Sequence, residues 1–397
     1  MRILVHYTHK QTLGHTTRTI SLVKALCDRG AEVRVLQGGM PQPFVRFPEN
    51  CIVRDIPRPF DTRGSFQADK EPVYAYQRAQ FILRTAIDFK PHVMITEFFP
   101  FGRHKYLPEL LPALQHLRKK KTRIMASIGY PLIMELESLN KSPLTLMKAM
   151  FHLFSKFLIH TPPELETQYI KDSFQSGILS QSYAEIMERL KKKIVYTGYI
   201  FPEKIIAGGA ELPVNKKTND IVISRGGGSV YPKLIAAAIK AQRHLDKNIS
   251  TIIACGPATS VKEKNLFHSL LDPNDTGRVF LADHINNLHD YLKTCAVSVN
   301  LCGYNTSVQL MRYGTPSIII PYHNVLSRIQ TNDQIARARL MRERFSSTIL
   351  DCRTLTGPSL ARAIKEKINQ PRPRPAPAEW FNGAATAAQA ILENKAN

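Results

Sequence analysis

The feature that most constrains the fold of this chain is a recurring order of buried strand, short polar turn and helix, which is clearest between residues 297 and 341. Val297–Leu301 is rich in β-branched residues and is typical of a covered strand. Residues 302–305 form a polar turn, and a short helix is predicted to open at Thr306 and Ser307. Strands that alternate with helices in this way indicate a parallel α/β sheet.

The same segment continues through a second strand and a second helix. Gly314 is predicted to end the first helix, Ser317–Ile320 forms the next strand, and the helix after it carries Gln334 and Arg337. A turn between a strand and a helix presents backbone N–H groups and the positive end of the helix dipole, which suits a phosphate. We therefore interpret this segment as one half of a nucleotide-binding site.

The N-terminus opens with the same order of elements. Arg2–Thr8 is predicted as a buried strand, Thr16–Arg29 as a helix and Glu32–Leu36 as the next strand, which is the start of a Rossmann-like sheet. Gly14 and His15 stand at the carboxyl end of the first strand, where ligands bind in open α/β sheets. A glycine at this place would let the backbone approach a ligand closely.

Further elements are predicted in both halves of the chain. The first half adds helices at Tyr74–Phe89 and Leu107–Leu117, strands at Val93–Thr96, Arg123–Ser127 and Lys191–Tyr196, and an irregular stretch at Asn50–Phe66. Leu144–Ile159 is predicted as a core helix that runs into a strand, and a membrane-facing amphipathic helix is the alternative. The second half adds strands at Asp220–Ser224, Thr251–Ala254 and Val279–Leu281, and helices at Pro232–Arg243, Leu288–Thr294 and Leu360–Ile368.

The chain divides into two halves of this kind. Residues 201–219 lack periodicity and contain prolines and a Gly-Gly pair, so they are predicted as a linker. The first domain is expected to span residues 1–200 and the second residues 220–370. A terminal helix at about 378–394 is expected to pack back on the first domain. The predicted fold is therefore two Rossmann-like domains, with a cleft expected between them.

Charge and cysteine content limit the classes of function. The 397 residues include 54 Lys and Arg against 32 Asp and Glu, a formal charge of +22. This excess indicates phosphorylated substrates, an anionic membrane or nucleic acid as partners, or simply a well solvated surface, and no motif supports nucleic acid. Six cysteines without a CxxC pair fit neither a zinc site nor a disulfide framework. With no signal peptide or spanning segment expected, we predict a cytoplasmic protein.

A glycine-rich turn follows the first strand of the second half. Residues 225–229 read RGGGS, and three consecutive glycines leave backbone N–H groups uncovered, which suits a pyrophosphate. The turn is neither a Walker A loop nor a GxGxxG fingerprint, so ATP-type and NAD sites are poorly supported. A tight structural turn is the alternative interpretation.

Several motifs together carry a resemblance to a known family. The chain contains LGHTTR near its start, EFFPFGR after a strand of the first half, YTGY near the linker, then SRGGGS, CGYNTSVQLMRYGTP and DQIARA. With these motifs it resembles GT-B glycosyltransferases of the MurG type, with a glycosyltransferase family 28-like C-terminal domain, and more closely a branch of predicted MurG-like transferases. The resemblance covers nearly the whole chain and implies two Rossmann-like domains that face each other across a cleft.

The resemblance also implies which residues hold the sugar donor. The residues expected at the donor diphosphate are Gly226, Gly227, Gly228, Ser229, Asn305, Thr306 and Ser307. The family's acidic ribose-binding residue falls on Gln309, which loses a charge-assisted hydrogen bond. The family's sugar-binding Gln-x-x-Asn-Ala becomes Gln334-x-x-Arg337-Ala338, and the arginine would favour a donor with an anionic or strongly polar group. Ala282–Ile285 lies where such enzymes hold the base.

The chemistry implied for such a protein needs no metal and no cofactor. A general base removes the proton of an acceptor hydroxyl, and His15 is the first candidate, with orientation of the loop or a phosphate contact as its alternative. Glu97 is the second candidate, with a salt bridge to Arg103 as its alternative. Gly14, Arg18 and Arg103 are expected on the acceptor side, although Arg18 could also be a surface residue of its helix. His160 is expected to be a hydrogen-bonded core residue.

The function predicted from these residues is transfer of a hexosyl or N-acetylhexosaminyl group, with inversion, from a nucleotide diphosphate donor, most simply a UDP-sugar. A hydrolase that uses water as acceptor and a non-catalytic nucleotide-sugar sensor remain alternatives, whereas an epimerase is less favoured because its carboxylate cluster is not evident. The acceptor is unknown and could be a glycan, a lipid-linked or a phosphorylated molecule. Basic runs such as Arg118–Lys121 and Lys191–Lys193 would also suit peripheral binding to the inner face of an anionic membrane.

Overall fold

The computed structural model describes residues 1–9, 14–39, 45–58, 71–101, 106–129, 150–165, 188–202, 210, 220–228, 230–275, 277–286, 288–322 and 332–393. The chain forms two compact units. The first comprises Met1–Lys10, His15–Ile205 and Asn382–Asn397, and the second comprises Gln11–Gly14 and Ile206–Phe381. Most of the predicted linker, residues 203–209 and 211–219, lies outside the described residues.

The first unit is built on one parallel sheet. Its described strands are β1 (Arg2–His9), β2 (Glu32–Gly39), β3 (Cys51–Asp55), β4 (Val93–Glu97), β5 (Arg123–Gly129), β6 (Lys156–His160) and β7 (Ile194–Tyr196). They lie in the order β3-β2-β1-β4-β5-β6-β7, and every neighbouring pair is parallel. The described helices are α1 (Gly14–Cys27), α2 (Glu71–Phe89) and α3 (Leu107–Lys119), with 3₁₀ turns at Phe151–Leu153, Pro163–Leu165 and Lys191–Lys193.

The second unit contains a second parallel sheet. Its described strands are β8 (Ile221–Ser224), β9 (Thr251–Ala254), β10 (Val279–Ala282), β11 (Val297–Asn300), β12 (Ser317–Ile319) and β13 (Thr348–Ile349), in the order β10-β9-β8-β11-β12-β13. The described helices are α4 (Lys233–Ala241), α5 (Val261–Ser269), α6 (Leu288–Thr294), α7 (Tyr304–Tyr313), α8 (Asn332–Phe345) and α9 (Gly357–Ile368), with 3₁₀ turns at Gln242–His244, Pro273–Asp275 and Ala378–Phe381. Its apolar core joins the buried faces of β8, β11, α4 and α9.

The chain returns to the first unit at its C-terminal end. Helix α10 (Gly383–Leu392) contributes Ala387 and Ile391 to the same core as Ile3 of β1. Gly383 begins this helix so close to the backbone of Tyr199 that a Cβ at position 383 would stand 2.5 Å from the Tyr199 carbonyl carbon. A side chain at this position would therefore push α10 away from the unit on which it packs.

Each sheet has one place where the strand order reverses. In the first unit the chain leaves β1 toward β2 and β3 and then returns to β4 on the other side of β1; in the second unit β8 and β11 stand in the same relation. At such a place the loops after the two adjacent strands diverge and leave a crevice at the carboxyl edge of the sheet, where ligands bind in open α/β folds. Both sheets therefore confirm the predicted Rossmann-like architecture.

Most predicted elements are present, but some differ in detail and one helix was missed. The stretch at Asn50–Phe66 is not wholly irregular, because β3 pairs along the outer edge of β2. The helix expected to open at Thr306 begins two residues earlier, at Tyr304. Helix α5 was not predicted at all, because Phe267 is its one buried residue and its apolar periodicity is weak. In the segment Leu144–Ile159, predicted as a core helix that runs into a strand, residues 144–149 lie outside the described residues, and the remainder includes the 3₁₀ turn at Phe151–Leu153 and most of strand β6.

A buried chain of polar side chains crosses the carboxyl edge of the first sheet. His160, at the end of β6, lies 2.8 Å through Nε2 from Ser127 Oγ and 2.8 Å through Nδ1 from Thr197 Oγ1. Burial, with a smaller contribution from the charge of Arg18, lowers the pKa of His160 well below its usual range. The imidazole is therefore a neutral, doubly hydrogen-bonded core group, as predicted.

Among the described residues, no helix is long and apolar enough to cross a membrane.

The buried His160 should make stability depend on pH. The folded imidazole stays neutral, whereas the unfolded one takes up a proton below about pH 6.5. The free energy of unfolding should therefore fall as pH is lowered through that value, by at most about 1.4 kcal/mol per pH unit for this group. Urea unfolding followed by far-UV circular dichroism between pH 7.5 and 5 measures the slope. His160→Gln should flatten it, and equal slopes in the two proteins would contradict the assignment.

Candidate active site

Three predicted residues meet at the strand reversal of the first unit. His15 lies in the first turn of α1, just beyond β1, and Glu97 is the last residue of the adjacent β4. The distance between His15 Nδ1 and Glu97 Oε1 is 2.7 Å. Arg18, one turn further along α1, forms an ion pair with the same carboxylate oxygen. The glutamate thus receives two donors on one oxygen atom.

This arrangement fixes the orientation of the imidazole. When Nδ1 carries the proton that is donated to Glu97, the other ring nitrogen, Nε2, is left as a hydrogen-bond acceptor. The side chain of His15 is 25% exposed, whereas those of Glu97 and Arg18 are 2% and 5% exposed. The accessible member of the cluster is therefore the one group that can accept a proton from a bound molecule.

Arg18 lies in the interior of the first unit, beside Glu97. It is buried, so it is not a surface residue of its helix, and its guanidinium group pairs with Glu97. It passes so close to the end of β5 that a Cβ at Gly129 would overlap its terminal nitrogens. Arg103, which was expected on the acceptor side and was the alternative salt-bridge partner of Glu97, lies outside the described residues. Apart from the chain neighbours of Gly14 and the backbone of its own helix, no described atom lies within 4 Å of where a Cβ would stand at Gly14.

The glycine turn lies at the strand reversal of the second unit. Residues 225–228 follow β8 directly, and Gly226 adopts a φ of 82°, in the left-handed region that favours glycine. Gly256, after β9, packs against this turn: a Cβ there would stand 2.6 Å from the Gly226 carbonyl oxygen and 2.9 Å from that of Gly228. Gly226 is exposed and Gly227 half-buried. Ser229 lies outside the described residues.

Arg225 holds the glycine turn from behind. Its side chain is fully buried and donates from Nε to the Cys255 carbonyl, from Nη2 to Thr259 Oγ1 at 2.9 Å and from Nη1 to Glu263 Oε1 at 3.0 Å. Burial alone would raise the pKa of the Glu263 carboxyl, but hydrogen bonds from Arg225 and Ser260 outweigh burial and lower it. The turn after β8 and the loop after β9 are therefore joined by a charged, hydrogen-bonded link.

The start of α7 supplies the second predicted phosphate seat. Gly303 precedes the helix in an extended conformation, and Cys302 adopts a φ of 60°, held by a 2.9 Å bond from its N–H to Asn300 Oδ1. Since β11 pairs with β8, with Asn300 opposite Ser224, this turn and the glycine turn leave neighbouring strand ends. Thr306 lies in the first turn of α7 and is half-buried. The N–H groups of such a turn point out along the helix axis.

The remaining donor residues fall into two groups. Asn305, Thr306 and Gln309 are half-buried residues on successive turns of α7. Ser307, by contrast, is buried, its hydroxyl 3.3 Å from Cys302 Sγ and its N–H bonded to the Gly303 carbonyl. Ser307 therefore packs inward beneath the turn.

The two residues expected to bind the sugar are both engaged with backbone. Arg337 is buried and donates from Nε to the Cys302 carbonyl at 3.0 Å. Gln334 accepts the Tyr322 N–H through Oε1 at 3.1 Å. Arg337 thus supports the turn before α7 in the way that Arg225 supports the glycine turn, and this placement does not favour a sugar contact for it.

The segment expected near the base borders a small cavity. This cavity has a volume of about 250 Å³ and is lined in part by Phe267, Ala282 and Asp283. Lys264 forms an ion pair with Asp283 at the edge of this cavity.

Among the described residues, no group of three or more His, Cys, Asp or Glu side chains is placed to hold a metal ion.

Several residues of these clusters were not singled out from sequence. They are the supporting side chains Arg225 and Glu263 and the close-packed glycines Gly129 and Gly256. The two glycines carried a signal, since Gly129 ends the buried strand β5 and Gly256 lies just beyond the buried strand β9, at the carboxyl edges where ligand loops begin. No sequence signal indicated that the side chain of Arg225 points inward, because an arginine beside three glycines is typical of a phosphate ligand.

Two curated relatives show similarity to the chain. It is 32% identical over 92 residues to the UDP-N-acetylglucosamine–N-acetylmuramyl-(pentapeptide) pyrophosphoryl-undecaprenol N-acetylglucosamine transferase of Desulforamulus reducens, a match that covers 23% of this chain and only about a quarter (24%) of that enzyme. It is 20% identical over 335 residues to an uncharacterised glycosyltransferase of Methanosarcina acetivorans, covering 81% of this chain and 79% of that protein.

Solved structures share the fold over almost the full chain. The calicheamicin glycosyltransferase CalG4 is similar with a TM-score of 0.62 and 15% identity over 100% of both chains. MurG of Acinetobacter baumannii is similar with a TM-score of 0.54 and 13% identity over 98% of this chain and 99% of that one. The UDP-GlcNAc 2-epimerase of Methanocaldococcus jannaschii gives a TM-score of 0.57 at 11% identity over 97% of both chains. At these identities the likeness shows the fold alone.

The Arg225 link should be measurable as stability of the second unit. Arg225→Gln removes three hydrogen bonds and leaves Glu263 without its arginine, so we expect a loss of roughly 2–4 kcal/mol. Trp380, the single tryptophan of the chain, is buried in this unit and reports its urea unfolding by fluorescence. Arg243→Gln, at a half-exposed ion pair, is the matched control and should cost less than about 1 kcal/mol. Similar losses in both variants would argue against the link.

The match to a known family lies in the second half of the chain. Residues 221–391 match the glycosyltransferase family 28 C-terminal domain, and both sheets have the parallel Rossmann-like order of the GT-B structures to which the chain is similar. Family and fold together support glycosyl transfer. Residues 221–391 are therefore similar to the glycosyltransferase family 28 C-terminal domain, and the chain has the GT-B fold, with two Rossmann-like sheets.

Proposed function

We propose that this protein transfers a sugar from a nucleotide diphosphate donor to an acceptor hydroxyl, with inversion and without a metal ion or cofactor. The observation that carries this proposal is the chemistry of the two strand reversals. In the first unit the reversal holds an oriented imidazole. In the second it holds an exposed glycine turn beside a helix start. One is suited to proton transfer and the other to a diphosphate.

The proposed reaction has a simple balance of bonds. The acceptor oxygen attacks the anomeric carbon while His15 Nε2 takes the hydroxyl proton. A new C–O bond forms to the acceptor, and the bond between the anomeric carbon and the donor diphosphate breaks. The electron pair of the broken bond leaves with the nucleoside diphosphate. Attack from the face opposite the leaving group inverts the anomeric configuration.

The leaving diphosphate would be stabilised by backbone groups. The N–H groups of the glycine turn and the start of α7 supply dipoles that need no reorganisation when charge develops. Gly226, Gly227, Asn305 and Thr306 are the accessible or half-buried residues of this set. Arg225 and Arg337 act behind them by holding the two turns.

A UDP-linked donor carrying a hexosyl or N-acetylhexosaminyl group is the specific form of the proposal. Gln309, where related proteins have an acid, can still bond a ribose hydroxyl from its half-buried place on α7. The D. reducens relative is named for UDP-N-acetylglucosamine, which supports this donor class. The acceptor would be a glycan, a lipid-linked or a phosphorylated molecule.

Hydrolysis of the same donor is the second candidate function. It is favoured by the exposure of His15, since water can reach Nε2 as readily as an alcohol can. Incubation with UDP-glucose or UDP-N-acetylglucosamine alone should release free sugar quickly from a hydrolase and barely at all from a transferase. Addition of a lipid and glycan extract should then accelerate UDP release by a transferase. A sensor would bind UDP in calorimetry and turn over neither mixture.

The base assignment predicts a selective loss of rate. His15→Ala should lower turnover by roughly 10²-fold or more, because general-base catalysis contributes on that scale, while the dissociation constant for UDP stays within about twofold of wild type. His116→Ala, on the last turns of α3, is the control and should leave both quantities unchanged. Unchanged turnover in His15→Ala would rule the assignment out.

We also propose a cytoplasmic protein that binds peripherally to the inner face of an anionic membrane. Four consecutive exposed basic residues, Arg118–Lys121, end α3 and begin the next loop. Sedimentation with vesicles containing phosphatidylglycerol should capture the protein at low salt and lose it steeply as salt rises, since the attraction is screened. Vesicles of phosphatidylcholine alone are the control. Equal sedimentation with both would exclude an electrostatic contact.

A further inference from the structure

Three phenylalanines follow the strand that carries Glu97, and they do not share one environment. Phe99 and Phe101 are 2% and 1% exposed. They pack into an aromatic cluster, with ring centroids of Phe99 and Phe154 6.2 Å apart and those of Phe101 and Phe157 5.3 Å apart. Phe98 is half-buried and stands outside that cluster. Two of the three rings anchor the loop, and the third is turned toward its surface.

The backbone of Phe98 has an unusual conformation. Phe98 adopts a φ of 65°, a conformation that is rare for a bulky residue and costs free energy. Its N–H bonds the Ser127 carbonyl at 2.9 Å, and Thr96 Oγ1 bonds the Phe99 carbonyl at 2.7 Å. Two hydrogen bonds thus hold a strained residue directly after Glu97. Strained residues of this kind concentrate at functional sites.

The ring of Phe98 stands beside the proposed base. Its centroid lies 6.0 Å from that of the His15 imidazole, with the two planes at 76°. The only partly exposed side chain of the Glu97, Arg18 and His15 cluster is therefore bordered by a flat apolar surface. A water molecule gains nothing from such a surface, whereas a ring with an apolar face can stack on it.

We propose that Phe98 is a binding platform for the acceptor, and that the acceptor carries its reactive hydroxyl on a ring with an apolar face. This inference rests on the proposed transferase function. A pyranose and a phenolic ring share the required chemistry, since both present a flat apolar face with a hydroxyl at its edge. Stacking on Phe98 places such a ring next to His15, so that its edge hydroxyl can reach Nε2.

The test distinguishes the effect of the Phe98 ring from the effect of its strained backbone. Asn tolerates a positive φ far better than Phe, so Phe98→Asn removes the platform and relieves strain. Its midpoint of thermal unfolding should equal or exceed that of wild type. Phe98→Tyr keeps the ring and is the matched control. Tyr76→Asn removes an aromatic ring that is 66% exposed elsewhere on the same unit and controls for non-specific stacking.

Binding is measured by saturation-transfer difference NMR with three probes. Methyl β-D-glucopyranoside represents a sugar ring, 4-methylumbelliferone represents an aromatic ring, and glycerol represents a hydroxyl without a ring. With wild type, Phe98→Tyr and Tyr76→Asn, saturation should be transferred to at least one ring probe and not to glycerol. Phe98→Asn should lose that signal by about fivefold or more. The probe that responds identifies which ring class is bound.

Two results would overturn the inference. One is that neither ring probe binds wild type in preference to glycerol, and the other is that Phe98→Asn binds them as wild type does. Release of sugar from UDP-sugars, measured on the same proteins, reports on the proposed function separately. If the proteins turn over UDP-sugars but bind the ring probes equally with and without the Phe98 ring, only the proposal for Phe98 is contradicted. If wild type neither turns over UDP-sugars nor binds UDP, the proposed transferase function is contradicted.

Discussion

The structure depends on one topological constraint, the reversal of strand order in each parallel sheet. Parallel neighbours must be joined by crossovers of one hand, so a sheet that grows in both directions needs one place where the loops of adjacent strands part. In the first unit that place lies between β1 and β4, and in the second between β8 and β11. His15 follows β1, Glu97 ends β4, Gly226 and Gly227 follow β8, and Thr306 follows β11.

Each reversal is reinforced by an ion pair between a buried arginine and a glutamate. Arg18 and Glu97 link α1 to β4, and Arg225 and Glu263 link the turn after β8 to α5. A buried ion pair adds little net stability compared with apolar packing, but it specifies geometry because both partners lose much when separated. The charged groups therefore define where the neighbouring backbone and imidazole stand, while the atoms that we propose to react or to bind the donor are uncharged amides and a ring nitrogen.

Local sequence patterns predicted most of the fold and only part of the sites. β9 and α6 have the predicted bounds, because buried strands and amphipathic helices leave strong periodic signals. β3 and α5 were missed because an exposed edge strand and a polar surface helix leave weak ones. His15 and Glu97 could be found from their places at strand ends. The inward turn of Arg225, the burial of Arg337 and the outward turn of Phe98 depend on contacts between distant segments, which no local pattern records.

The position of helix α10 in the chain determines the order in which the two units can finish folding. The core of the first unit includes Ala387 and Ile391, which follow the whole of the second unit in the chain. During synthesis from the N-terminus, β1 and its neighbours emerge long before the helix that covers them. The first unit is thus the first to be synthesised and the last to complete its core. The second unit can fold on the ribosome while part of the apolar surface of the first unit is not yet covered by α10.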